Sequence, residues 1–216
     1  TLAPIVIFCY NRLFHLQQTV NALLTNEEAA SSDLIIYSDG SRNDKDDEGV
    51  KAVRAYIHQI SGFSNLKIIE RPSNLGLAMN VIDGVSEVVN QYGNIIVLED
   101  DAECGPYFLR FMNDGLTYYA DNTDVACICG YLYPVKQKVP DAFFIYGADC
   151  TAWATWKDQW ALFEADGQKI LDTIVAQKST WRFDFDGSYP YIQMLKDQID
   201  VRNNSCGIRW YDSAII

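Results

Sequence analysis

Short apolar runs alternate with longer amphipathic stretches through the first two thirds of the chain. The apolar runs have the length and composition of β-strands and cover residues 4–9, 34–37, 66–69 and 95–98. The stretches between them carry apolar side chains at helical spacing and cover residues 14–24, 50–60 and 77–89. This alternation predicts an α/β protein with a mainly parallel sheet flanked by helices.

The last third of the chain has a different pattern. A helix over residues 107–119 follows Pro106, which suits a first helical turn, and a fifth strand is predicted over residues 125–129. Beyond Gly130 aromatic residues dominate and the segments resemble short helices. Trp153, Trp156 and Trp160 are spaced at i, i+3 and i+7, which predicts one face of a helix.

The chain is strongly acidic. Its 17 Lys and Arg residues against 29 Asp and Glu residues give a formal net charge of −12, and 49% of the 216 residues are hydrophobic. This composition excludes intrinsic disorder, and no apolar run approaches the roughly 20 residues that span a bilayer. We therefore expect a soluble globular protein without a transmembrane segment. We also expect that it does not bind nucleic acid, because such binding requires clustered cations.

The cysteines and the chain ends indicate where the protein resides. Six cysteines form no CxxC pair, and several lie in or beside apolar runs, which favours buried free thiols in a reducing compartment. No signal peptide is visible, so we expect a cytoplasmic location, with the inner face of the membrane as an alternative. The chain lacks an initiator Met and Ile216 stops within an apolar run, which suggests an excised fragment.

Polar side chains gather where the four predicted parallel strands end. Because ligands of such sheets bind outside the carboxyl ends of the strands, these residues predict a polar cleft along one edge. They are Asn11 and Arg12 after the first strand, Asp39 after the second, Arg71 and Asn74 after the third, and Glu99, Asp100 and Asp101 after the fourth.

The consecutive acids at positions 99–101 carry the strongest chemical signal. Like charges repel, so such a cluster needs solvent or a divalent cation, and carboxylate oxygens suit Mg²⁺ or Mn²⁺. A solvated loop or helix start explains the acids equally well.

The other residues at the strand ends also have two interpretations. Asp39 could accept hydrogen bonds from a ligand's base or ribose, although an Asx turn also explains Ser38-Asp39-Gly40. Arg12 and Arg71 suit phosphate oxygens or structural ion pairs. Trp153 could stack on a sugar or simply pack in the core.

Five motifs in a fixed order resemble those of GT-A-fold glycosyltransferases. They are PIVIFCYNR at the first strand, IIYSDGS at the second, RPSNLGLAMN before the third helix, IIVLEDD followed by GPYFLRFM, and WATWKDQW. The resemblance covers most of the chain and includes bacterial family 2-like enzymes and N-acetylglucosaminyltransferase I. The EDD triplet stands in the place of that fold's DXD-type metal motif.

The resemblance implies a role for each candidate residue. Asp39 would contact the nucleotide base, Arg12 the diphosphate, and Glu99 and Asp100 the ribose or sugar. The full nucleotide-sugar-binding set would be Asn11, Arg12, Asp39, Arg71, Asn74, Glu99 and Asp100, with Asp101 as the ligand of Mn²⁺ or Mg²⁺ and Trp153 on the acceptor side. Residues 1–130 would form the donor-binding part and residues 131–216 the acceptor side, truncated at its C-terminus, of a single domain over residues 1–216.

The chain departs from the family pattern in two places. Cys150-Thr151-Ala152-Trp153 replaces a Gly-Trp-Gly-Trp run, and no acidic residue is found near Gly207 where related enzymes carry one. Asp149 or Asp212 would then serve as the catalytic base.

These features together predict an inverting, metal-dependent glycosyltransferase. It would move a sugar from a nucleoside-diphosphate sugar, with UDP favoured by the resemblance, to a hydroxyl of a glycan or lipid-linked acceptor in cell-envelope polysaccharide or glycan synthesis. A sugar nucleotidyltransferase is the first alternative. Such an enzyme would need a glycine-rich loop directly after the first strand, and the loop at Tyr10–Leu13 contains no glycine. A noncatalytic carbohydrate-binding pseudoenzyme is the second.

Overall fold

The computed structural model of the protein describes residues 1–215. Within them, six strands form one sheet in the order β3-β2-β1-β4-β6-β5. Strands β1 to β4 run parallel, and β6 pairs antiparallel with both β4 and β5. The strands are β1 Ile5–Cys9, β2 Asp33–Ser38, β3 Asn65–Glu70, β4 Asn94–Glu99, β5 Ile128–Cys129 and β6 Trp153–Trp156.

Helices connect the parallel strands and are the main regular elements of the C-terminal third. They are α1 Leu13–Leu24, α2 Asp47–Ile57, α3 Leu77–Tyr92, α4 Phe108–Tyr118, α5 Lys157–Trp160, α6 Gly167–Ala176, α7 Thr180–Phe183, α8 Tyr191–Ile199 and α9 Cys206–Ser213, with a 3-10 turn at Glu27–Ser31. The predicted class, an α/β protein with a mostly parallel sheet flanked by helices, is therefore confirmed.

The prediction of one helical face through the tryptophan segment was wrong. Trp153 and Trp156 lie on β6, and only Lys157–Trp160 forms a short helix. Residues Asn94 to Val97 of β4 need hydrogen-bond partners on the side away from β1, and β6 supplies them. Tertiary pairing thus overrides the helical spacing of the indoles.

The sheet has an apolar core on each face because strand residues alternate sides. Ile5 and Ile7 of β1 pack with α1, α2 and α4, whereas Val6 and Phe8 pack with α3. Burying each of these large side chains contributes about 1.5–3 kcal/mol. A third cluster joins α6 to α9, and Tyr211 belongs to it.

Among residues 1–215, no helix combines the length and the apolar character needed to cross a bilayer.

Candidate functional site

A cleft opens where β1, β2 and β4 end and α3 begins. Its volume is about 310 Å³. The chain runs from β1 outward through β2 and β3 and then returns to β4 on the other side of β1, so the cleft lies where the strand order reverses. Of the predicted site residues, it is lined by Asn11, Arg12, Asp39, Asn74, Glu99 and Asp100.

Asp39 is buried at the end of β2, and its carboxylate accepts four hydrogen bonds. Oδ1 accepts from the backbone N–H groups of Gly40 and Leu75, both at 2.9 Å. Oδ2 accepts from the backbone N–H of Gly76 at 3.0 Å and from Nδ2 of Asn74 at 3.1 Å. The carboxylate therefore holds the 74–76 loop against β2 and fixes the start of α3.

A close backbone contact reinforces this junction. A Cβ on Gly40 would lie 2.5 Å from the carbonyl carbon of Ser73, so only glycine fits at this position. Asn74 Nδ2 also donates to the Gly40 carbonyl at 2.8 Å. The motifs predicted after β2 and β3 thus form one interlocked wall of the cleft.

Arg12 forms a fork over the acids that follow β4. Its Nη1 lies 2.9 Å from Asp101 Oδ2, and its Nη2 contacts Asp100 Oδ1. The Asp100 side chain is buried, and Thr19 Oγ1 fixes its backbone by donating to the Asp100 carbonyl at 3.0 Å. Arg12 therefore pairs with two of the three acids at this strand end.

Burial raises the pKa of two of these acids. Desolvation raises the pKa of Asp100, and the hydrogen bond and charge of Arg12 oppose that rise. Desolvation also raises the pKa of Glu99, with smaller contributions from the charges of Asp101 and Asp100. Burial is thus the main cause of both shifts, and the neighbouring charges add to it or oppose it.

The residues at this edge fit a divalent cation. Asp100 Oδ2 is buried without a hydrogen-bond partner, and the Asp101 side chain is 44% exposed. No three His, Cys, Asp or Glu side chains converge as a cage within residues 1–215. Mg²⁺ and Mn²⁺ nevertheless suit such a site, because Mg²⁺ in particular takes only one or two carboxylates and completes its shell with water and substrate phosphates.

Arg71 lies behind the cleft wall. Its Nε donates to Asn80 Oδ1 at 3.0 Å, and its guanidinium lies 5.0 Å from the centre of the Tyr37 ring. Asn80 is buried on α3 and lines the cleft. The sequence analysis did not single out Asn80, because it lies within the apolar pattern of a helix. The signal that could have identified it is an asparagine on the face of the helix that is predicted to be buried.

The acceptor-side candidates lie away from the lining of this cleft. Trp153 is buried, with its ring centroid 5.5 Å from that of Trp210 and 5.8 Å from that of Trp160. Its indole therefore packs in the core. Asp149 lies in the loop before β6, where its Oδ1 accepts from the Thr151 N–H at 2.7 Å.

Asp212 is fully buried on α9. Neither of its carboxylate oxygens has a hydrogen-bond partner, and desolvation raises its pKa from 3.8 to about 8. A carboxyl in this environment is held in its neutral form near pH 7.

The sheet order and the cleft together describe an α/β protein of the GT-A type. The family model described as "Glycosyl transferase family 2" matches residues 5–183. The chain therefore belongs to glycosyl transferase family 2. The narrower resemblance to N-acetylglucosaminyltransferase I stays a prediction.

The chain is also similar to solved glycosyltransferase structures. A mannosyltransferase from Pyrobaculum calidifontis, in complex with GDP-Man and Mn²⁺, shares 11% identity over 57% of this chain and 34% of its own, with a TM-score of 0.40. Residues 1–349 of S. aureus TarS share 14% identity over 76% of this chain and 48% of that one, with a TM-score of 0.47. The chain thus spans between a third and a half of these relatives. No curated protein matches it.

Proposed function

We propose that this domain transfers a sugar from a nucleoside-diphosphate sugar, with UDP as the carrier, to the hydroxyl of a glycan or lipid-linked acceptor. The reaction is one in-line displacement that inverts the anomeric carbon. The observation that carries the proposal is the shared cleft, which is lined by Asp39 from the β2 end and by Arg12, Glu99 and Asp100.

Two kinds of group in the cleft suit a nucleoside-diphosphate sugar: a cation for its phosphates and hydrogen-bond acceptors for its hydroxyl groups. Arg12 offers a planar cation suited to phosphate oxygens. Glu99 and Asp100 offer acceptors for sugar or ribose hydroxyls. Because the chain carries a net charge of −12, the Arg12 cation is central to tolerating an anionic ligand here.

Asp101 would hold Mn²⁺ or Mg²⁺, with Asp100 Oδ2 as the second carboxylate oxygen in reach of this edge. When bound, the cation supplies charge stabilisation for the diphosphate as it leaves. Arg12, whose guanidinium pairs with Asp100 and Asp101 here, would bind the phosphate oxygens. The leaving diphosphate keeps the electron pair of the broken glycosidic bond.

A carboxylate on the opposite side of the sugar takes the acceptor proton. Of the two predicted bases, Asp149 suits this role better because Asp212 is sealed in the core and held neutral. The loop that carries Asp149 leads into β6, whose first residue Trp153 pairs with Val97, so this loop lies near the end of β4. Burial raises the pKa of the adjacent Cys150 thiol to about 12, and the charges of Asp149 and Glu99 contribute to that rise.

The test is a panel of nucleotide sugars incubated with the protein, Mn²⁺ and simple sugar acceptors, with products identified by mass spectrometry. We expect release of a nucleoside diphosphate that depends on the cation and stops with a chelator. Asp101→Asn should lower turnover about 10²–10³-fold. Undiminished transfer by this variant would reject the metal role, and release of pyrophosphate from a nucleoside triphosphate would favour a nucleotidyltransferase.

A noncatalytic sugar-binding role is the second candidate, and the burial of Asp212 favours it. If this candidate is right, no other carboxylate replaces the missing base. The protein then binds nucleoside diphosphate or sugar in calorimetry and shows no turnover with any donor. Loss of turnover in Asp149→Asn with binding intact would decide for the enzyme.

A further inference from the structure

We propose that Asn80 binds the nucleoside diphosphate directly through its side-chain NH₂ group and that Arg71 is the positioning residue that aims it. This inference rests on the proposed function, since it names a contact within the same cleft. It also changes the role of Arg71, which the sequence analysis predicted to bind the nucleotide sugar itself.

Burial and position single out Asn80. The residue is 2% exposed and lies in the first turns of α3, yet its side chain lines the cleft. A buried amide normally has all its hydrogen-bonding groups satisfied. Within residues 1–215, Asn80 Oδ1 has a partner in Arg71, whereas Asn80 Nδ2 donates to no protein atom and is not among the fully buried atoms that lack a partner. The end of the amide that is open to the cleft is therefore a donor.

Arg71 determines which end of the amide faces the ligand. An arginine Nε–H only donates, so the group facing it at 3.0 Å must be the amide oxygen. Arg71 itself is held over the Tyr37 ring and does not line the cleft. The NH₂ group of Asn80 is therefore directed away from Arg71, and the cleft is the open space beside it.

The local charge favours an anionic oxygen as the partner of Asn80. Arg71 makes no ion pair within residues 1–215, and its Nη2 is buried without a hydrogen-bond partner. Asp39, the carboxylate near this wall, is already saturated by four donors. A diphosphate oxygen is thus the ligand atom that both the free amide donor and the cation behind it attract.

The experiment is calorimetric binding of UDP and GDP in the presence of Mn²⁺, with thermal unfolding as a check on the fold. Asn80→Asp keeps the shape and gives Arg71 an ionic partner, so we expect unchanged or higher thermal stability. Affinity should fall at least about tenfold, because a donor becomes a charged acceptor. Asn80→Ala should weaken binding in the same direction.

The matched control is Asn90→Asp, which makes the same change at an exposed position of the same helix. Its affinity should equal that of the unaltered protein. Arg71→Met should weaken binding, Arg71→Lys should restore part of it, and Asn80→Ala combined with Arg71→Met should be no worse than Asn80→Ala alone. That non-additivity distinguishes positioning from two independent contacts.

Two results would overturn the inference in different ways. If the unaltered protein binds UDP or GDP and Asn80→Ala binds equally well, the Asn80 contact is refuted while the proposed function stands. If the unaltered protein binds no nucleoside diphosphate in the panel, both proposals fail together.

Discussion

At the residue scale, two buried aspartates, Asp39 beside the cleft and Asp212 in the core, are in opposite situations. The buried Asp39 carboxylate accepts four hydrogen bonds, three from the backbone N–H groups of residues 40, 75 and 76 and one from the Asn74 side chain. The buried Asp212 carboxylate accepts none. The same side chain therefore stabilises the fold in one place and opposes it in the other.

Asp39→Asn should loosen the cleft wall. An amide NH₂ in place of Asp39 Oδ2 would face the donors of Gly76 and Asn74, so at least one buried hydrogen bond is lost. We expect about 1–3 kcal/mol less stability in urea unfolding and weaker binding of nucleoside diphosphate. Asp44→Asn, an exposed loop position with the same charge change, serves as the control. Equal stability of the two variants would contradict the role given to Asp39.

Asp212 should make the protein less stable as pH rises. Its pKa is 3.8 as a reference and about 8 in the fold, so between these values the unfolded chain has lost a proton that the folded chain keeps. The free energy of unfolding then falls with rising pH by up to about 1.4 kcal/mol per unit, and levels off above pH about 8.

Asp212→Asn removes this titration and should be more stable than the unaltered protein at pH 8, with little difference at pH 4. Urea unfolding at several pH values measures it. Asp141→Asn, an exposed position, should follow the unaltered pH profile. Parallel profiles for the unaltered protein and Asp212→Asn would mean that the carboxyl is not buried as described.

At the scale of elements, α3 connects the cleft to the core. Its first residues line the cleft, while Val85 and Val88 pack under the sheet. Gly84 allows this close packing, since a Cβ there would lie 2.6 Å from Cε1 of Phe8 and 3.2 Å from Cε2 of Tyr37. The distance between helix and sheet is set by this glycine.

Gly84→Ala should therefore destabilise the protein even though alanine is the better helix former. Overpacking of this kind typically costs about 1–3 kcal/mol, against a gain of up to about 1 kcal/mol from helix propensity. The free energy of unfolding, measured with a chemical denaturant, and the affinity for nucleoside diphosphate should both fall as α3 shifts. Asp83→Ala, on the exposed side of the same helix, should leave both quantities unchanged. A stabilised Gly84→Ala protein would refute the tight packing.

At the scale of the whole molecule, the aromatic C-terminal third completes the sheet. β6 pairs with β4, and Trp153 contacts Trp160 and Trp210 on the face that carries α3. The C-terminal third thereby shares a core with the strands and helices that precede it. We propose that the two parts unfold as a single domain.

Trp153→Ala should lower stability by about 3–5 kcal/mol, in one cooperative transition seen equally by fluorescence and circular dichroism. Trp181→Ala, which removes an indole that is 68% exposed, should change stability far less. Two separated transitions in either variant would show that the C-terminal part folds on its own.

The sequence determined the strand and helix order of the first 130 residues, because hydrophobic periodicity reports burial directly. It also determined that the polar residues after β1, β2 and β4 share one edge, since parallel strands align their carboxyl ends. Glu99 and Asp39 were found in this way.

Only the tertiary structure decided the rest. Pairing with β4 turned the Trp153 segment into a strand, because backbone groups of β4 needed partners there. Long-range contacts placed Arg71 behind Asn80 and sealed Asp212 in the core. Residue type and spacing do not encode such contacts, since they depend on which elements meet in space.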